Sequence, residues 1–210
     1  PLRVLRAGAA SVARARRGWS RTLAVVSDAV RDEDLAAVAR AIRPGELVAG
    51  AASLARHVLA RRGGPVPIGV ARPAGGTWLA VVGSRNPVSV AQARGASIAR
   101  ARGLVLTPGR FPSRMTAARA WREAVRLARR AVRVIRALRP GGLVLTGGLT
   151  AAAVCTELDI RMLSLRGEIE PGLALASARA DYGDVLIVTK PGGFGALDSL
   201  KRLLARRNPV

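Results

Sequence analysis

Short apolar runs, each closed by Gly, Ser or Asp, alternate along this chain with Ala/Arg-rich stretches of helical period. No other feature constrains the fold as tightly. A strand buried on both faces reads as a continuous apolar run, and parallel strands need a crossover between them, usually a helix. The strand expectations are Leu23–Ser27, Leu47–Ala51, Trp78–Val82, Leu104–Thr107, Leu143–Thr146, Met162–Leu165 and Val185–Thr189. Helices are expected near Asp32–Ile42, Ser53–Arg61, Ser89–Ala101, Thr116–Leu138, Thr150–Leu158 and Leu197–Arg206. The pattern predicts an α/β fold of three layers, a mostly parallel sheet with helices on both faces, preceded by a small, incomplete α/β piece.

One stretch breaks the alternation. "RRGGPVPIGVARPAGGT", residues 61–77, is dense in Gly and Pro and has no helical period. It reads as a linker between a first piece, 1–60, and a larger one, 78–210. Two strands make the first piece a small sheet to stand alone.

Half the residues are apolar, ample for a buried core. Every apolar run is interrupted by Arg, Gly or Pro before the ~18 residues that a membrane span needs. The Arg-rich start lacks the apolar centre of a secretory signal, so the cytoplasm is the expected compartment. Cys155 is the single cysteine, which excludes an internal disulfide framework and a multi-cysteine zinc site.

Thirty-five basic residues against 13 acidic ones give a net charge of +22, which raises the question of a polyanionic partner. Aromatic residues make up only 3% and are scattered, whereas single-strand binders interleave stacking platforms with their cations. Nucleic acid is therefore not the expected partner. On the long helix Trp121, Val125, Ala128, Val132 and Ile135 form an apolar face, with Arg119, Arg122, Arg126, Arg129, Arg133 and Arg136 beside it. Such an arginine row is ordinarily a solvated face whose stems shield apolar surface. Docking of an acidic protein surface or a phosphate backbone is the functional alternative.

Chemistry concentrates in three glycine-bearing loops: "VVGSRNPVS" (81–89), "VLTGGLTAA" (144–152) and "VTKPGGFG" (188–195). Loops after the carboxyl ends of parallel strands gather on one edge, where open α/β folds bind ligands. Glycine-rich turns expose N–H groups that cradle phosphate, and the following helix adds its positive end. Ser84 and Thr150 offer hydroxyls, and Lys190 offers a charge to neutralise an anion. Neither G-x-x-x-x-G-K-[ST] nor G-x-G-x-x-G after a strand occurs. The one histidine, His57, lies in the helical "SLARHVLARR" and reads as a partly covered helix residue; no catalytic group can be named.

In order, "VVGSRNPVSVAQ", "GGLVLTGGLTAAAVCTEL", "RGEIEPGLAL" and "VTKPGGFGALDSL" resemble the nucleotide-binding half of the four-carbon acid sugar kinases. The resemblance runs from residue 78 to about 203, and "VVSDAVRDEDLAAVARAI" and "LVAGAASLARHVLA" resemble the tail of that family's first domain. It implies ATP binding at Ser84, at Gly147, Gly148, Leu149 and Thr150, and at Gly192 and Gly193, in the loops already picked out as phosphate cradles. It also implies magnesium and transfer of a phosphoryl group to a threonate- or erythronate-type acid.

Departures from the family pattern are specific. Gly-Gly-Glu-Thr reads Gly-Gly-Leu-Thr, placing Leu149 where a carboxylate stands; Lys-Ser-Gly reads Lys190-Pro191-Gly192; Pro-Gly-Val-Pro reads Pro171-Gly172-Leu173-Ala174. The acceptor motifs Asp-Asp-x-Thr-Gly-Ala and Asp-Ser-Thr-x-Arg-Gly do not occur in these residues. The expectation is an ATP-binding part that needs a separate acceptor-binding chain, or a homo-oligomer, to act on the sugar acid. A catalytically inactive nucleotide-binding relative and a basic polyanion-binding protein are the alternatives.

Overall fold

Eight strands and six helices form among the described residues of the computed structural model, which are 3–8, 23–61, 63, 77–98, 103–109 and 115–205. They fall into two units, Pro1–Val66 and Pro67–Val210. Most of the expected linker at 61–77 lies outside the described residues, as do 99–102 and 206–210.

In the first unit β1 (Arg3–Gly8) pairs in parallel with β2 (Leu23–Asp28). Two helices follow, α1 (Asp32–Ala41) and α2 (Ala52–Ala60). Acidic residues crowd the first turn of α1, where they meet the positive end of the helix. The His57 Nε2 lies 3.0 Å from Asp32 Oδ1, tying α2 to α1. The strand expected over Leu47–Ala51 is absent: residues 46–50 run without regular structure and Leu47 is fully exposed. A short apolar run becomes a strand only where a partner edge takes its hydrogen bonds, and among the described residues no strand pairs with 47–51.

The second unit is a six-stranded sheet in the order β4-β3-β5-β8-β7-β6. It comprises β3 (Trp78–Val82), β4 (Leu104–Leu106), β5 (Gly142–Thr146), β6 (Ser164–Glu170), β7 (Leu173–Ala180) and β8 (Gly183–Lys190). The first four in that order are parallel, and β7 and β6 extend the sheet antiparallel. The helices are α3 (Pro87–Ile98), α4 (Ala117–Leu138), α5 (Gly148–Glu157) and α6 (Ser199–Ala205).

Alternate side chains of the central strands feed two separate cores. Leu79, Val81, Leu143, Leu145, Val185 and Ile187 pack with α4 and α5; Trp78, Ala80, Val82, Val144, Leu186 and Val188 pack with α3 and α6. This is the three-layer α/β arrangement, with a mixed sheet at its centre.

Two expectations need correction here. Met162–Leu165 is not a strand as bounded: β6 begins at Ser164, and Met162 is exposed. On α4 the buried stripe is Ala124, Leu127, Ala128, Ala131, Val132 and Ile135, rotated from the expected one, and Trp121 is 42% exposed. Alanines let the helix approach the sheet closely, so the packed face follows the small residues rather than the largest ones.

Candidate functional site

The registers of the parallel strands decide where the loops meet. Val82 of β3 lies opposite Thr146 of β5, and Thr146 lies opposite Lys190 of β8. The strand ends are therefore level, and all three glycine loops leave from one edge. The ladder continues into them: Gly83 N–H donates to the Thr146 carbonyl (3.2 Å) and Gly147 N–H to that of Lys190 (3.0 Å).

Ser84 stands at the centre. Its Oγ accepts from Asn86 N–H (3.2 Å), and Asn86 Oδ1 accepts from Val88 N–H (2.9 Å) at the start of α3. With Pro87 at the first helical position, Asn86 caps this helix by the usual chemistry of an N-terminus. Gly147 has φ +96°, and a Cβ there would come within 3.3 Å of the Ser84 nitrogen. A Cβ on Gly192 would come within 2.3 Å of Ser84 Oγ. Only glycine permits this approach from both sides.

Between these loops and α4 lies a cleft of about 350 Å³. Its lining includes Gly83, Ser84 and Arg85 from the first loop and Gly147, Gly148, Leu149 and Thr150 at the amino end of α5. The walls are largely apolar, built by Pro108, Met115, Ala120, Ala124 and Leu127, with the carboxylate of Glu123 among them. Thr150 is buried, its hydroxyl packed against Gly83. Leu149 is half exposed at the rim.

Of the sequence-expected site residues, the structure thus brings Ser84 and Gly147 to Thr150 into one wall. Gly192 and Gly193 abut the other side of Ser84 and Asn86 rather than the cleft itself. Lys190 is buried, 2% exposed, and does not line the cleft. Its Nζ donates to Ser89 Oγ (3.3 Å) and to the carbonyls of Pro191 (3.1 Å) and Gly192 (3.4 Å). Burial pulls its ammonium below the ordinary lysine range. Ser89 Oγ also donates to the Gly192 carbonyl (2.6 Å), and Gln92 Nε2 to those of Phe194 (3.2 Å) and Ala196 (2.7 Å). The third loop is held from beneath by α3.

Sequence reasoning missed Arg85 and Glu123 as cleft residues. Arg85 had a signal, since it directly follows Ser84; Glu123 had none beyond an acidic residue on an arginine-rich helix. It also missed what "EIEPGLAL" does. Pro171-Gly172 is the turn of the β6–β7 hairpin, and the Phe194 ring packs against Gly172. Arg202 bonds Glu170 (2.8 Å), and Ser199 Oγ bonds the other oxygen of the same carboxylate. The motif buttresses the third glycine loop.

Residues 96–200, half of the chain, match the family model described as "Nucleotide-binding C-terminal domain". This chain belongs to the four-carbon acid sugar kinase family, through that domain. A Cupriavidus necator D-threonate kinase is 30% identical over 93% of this chain and 57% of its own length. The likeness in fold extends to solved structures. A Bordetella bronchiseptica domain of unknown function (DUF1537), with bound citrate and as a domain-swapped dimer, has TM-score 0.52 and 24% identity, over 96% of this chain and 56% of its own. A Salmonella typhimurium LT2 protein has TM-score 0.62 and 18% identity, over 96% and 59%. These structures share the fold. The chain spans little more than half the length of the relatives it matches. Among the described residues no helix is long and apolar enough to cross a membrane.

Proposed function

We propose that the cleft binds ATP by its phosphates and serves as the donor site of a kinase acting on a threonate- or erythronate-type acid. The observation that carries this reading is the convergence of Gly147 and Gly192 on Ser84 beside the amino end of α5. Free N–H groups at a helix start, with no Cβ in the way, form a nest for an anion. ATP, when bound, supplies the phosphoryl group that moves to the acceptor hydroxyl. The chain's part is to hold it: the N–H groups of 148–150 and the Ser84 hydroxyl orient the phosphates, and Arg85 is the cation on the cleft wall. Lys190 fixes the shape of the 191–193 loop. Residues 1–60 are read as the tail of a sugar-acid-binding domain, and residues 78–210 as the nucleotide-binding domain.

No dedicated magnesium cage fits these residues. Among the described residues no three metal-ligating side chains cluster, and Leu149 lines the cleft where the family pattern has a carboxylate. Magnesium would enter with the phosphates of the nucleotide, as it does where few protein ligands are offered. The same Leu149, together with Pro191, favours a second reading, a nucleotide-binding relative that does not catalyse.

A Cβ at Gly148 would meet nothing within 4 Å. Gly148→Val should therefore fold like the wild type while its side chain fills the phosphate end of the cleft. Calorimetry should show Mg-ATP binding lost with the melting curve retained; unchanged affinity in a folded variant would remove the site assignment.

A further inference from the structure

Resting on the reading of the cleft as an ATP site, we propose that Glu123 accepts the ribose hydroxyls of the nucleotide and selects ribonucleotides over deoxyribonucleotides. Glu123 is the one carboxylate among the residues lining the cleft, set in a wall that is otherwise apolar at Ala120, Ala124 and Leu127. A donor brought into the cleft would replace water on this partly exposed carboxylate. Its Oε1 accepts from Arg126 (3.3 Å), whose side chain is 79% exposed against 31% for Glu123. The arginine thus holds the carboxylate from the solvent side. Among the described residues no partner is recorded for Oε2.

The chemistry of ATP leaves few groups for this position. A carboxylate repels phosphate, whose place on the proposed reading is beside the Ser84 hydroxyl and the amino end of α5. The adenine ring nitrogens are acceptors and cannot bond it, and the exocyclic amino group offers a single edge. Vicinal ribose hydroxyls offer two O–H donors side by side, the geometry that suits a carboxylate. Dinucleotide-binding α/β folds hold ribose with an acidic side chain for the same reason.

The test titrates the full chain with Mg-ATP, Mg-2′-deoxy-ATP and Mg-3′-deoxy-ATP by calorimetry, for wild type, Glu123→Gln and Glu123→Ala. A hydrogen bond to a charged group predicts that wild type prefers ATP by about 10-fold or more over each deoxynucleotide. Glu123→Ala should weaken ATP, which loses both hydroxyl bonds, more than either deoxynucleotide, which loses only its remaining one, and so narrow the preference, with Glu123→Gln intermediate. Equal wild-type affinities overturn the proposal. So does an equal loss for all three ligands in the alanine variant, or a loss that vanishes when magnesium is withdrawn. Failure of the wild type to bind any nucleotide overturns the ATP reading as well, whereas ATP binding without ribose discrimination overturns this inference alone.

Discussion

Three oxygens surround the Lys190 ammonium, those of Ser89, Pro191 and Gly192, and all belong to the loop it precedes or to the helix beneath it. The lysine at the end of a glycine-rich strand looked, from sequence, like a phosphate ligand; its ammonium donates into the loop and the helix, and we read it as a positioning residue. Because burial lowers its folded-state pKa below the ordinary 10.5, the folded chain releases this proton first as pH rises. The unfolded chain then holds more protons, so stability increases with pH in that interval. The cost of burying the charge is complete at neutral pH and is relieved as pH climbs through the folded value toward 10.5. Lys190→Met removes this titration. In urea denaturation series from neutral pH upward, the stability of wild type relative to the variant should grow with pH. A flat difference would mean that the buried site does not perturb the ammonium.

At the level of elements, α4 ends on a residue suited to replacement. Arg139, its C-cap, has φ +45° and donates its N–H to the Ile135 carbonyl (2.7 Å), with Pro140 next. The left-handed conformation costs a side-chain-bearing residue about 1 kcal/mol, which glycine avoids. Arg139→Gly should therefore stabilise the chain by about 1 kcal/mol in chemical denaturation, and a loss of stability would mean that the side chain makes a contact worth more than the strain. The same helix shows where sequence reading reaches its limit. Its period placed the helix, but Ala124, Ala128 and Ala131, not Trp121, chose the face that packs. Of its arginine row, Arg126, Arg129 and Arg136 meet the carboxylates of Glu123, Glu157 and Asp181. Glu123 stands three residues before Arg126 on the same helix, whereas Glu157 and Asp181 come from α5 and the β7–β8 turn and carry no periodic trace. The central parallel strands were legible because both faces are buried and the apolar runs are unbroken. Strand β7, "LALASARA", was not, because alanine and serine carry little strand preference and only pairing with β6 and β8 makes it one. The cleft was legible in its glycines, which repeat a backbone requirement, and illegible at Glu123, which joins the site only when α4 is laid across the strand ends.

For the whole molecule the question is whether a donor site suffices. Phosphoryl transfer asks a protein chiefly to position two groups in line and to neutralise charge. On the proposed reading, the cleft supplies cradles for one of them. The sequence holds neither acceptor motif of the four-carbon acid sugar kinases, and its single histidine lies in the first unit, hydrogen-bonded to Asp32. An acceptor hydroxyl that is not held near the phosphate loses the effective concentration that makes the step fast. The chain of these 210 residues should accordingly bind Mg-ATP yet show no turnover with a panel of threonates and erythronates. Adding a chain that carries Asp-Asp-x-Thr-Gly-Ala and Asp-Ser-Thr-x-Arg-Gly should restore activity if the two halves form a split kinase. Silence in both assays, with ATP still bound, would favour the non-catalytic relative marked by Leu149. Turnover by the chain alone would place an acceptor site within these residues, and the two-part reading would fail.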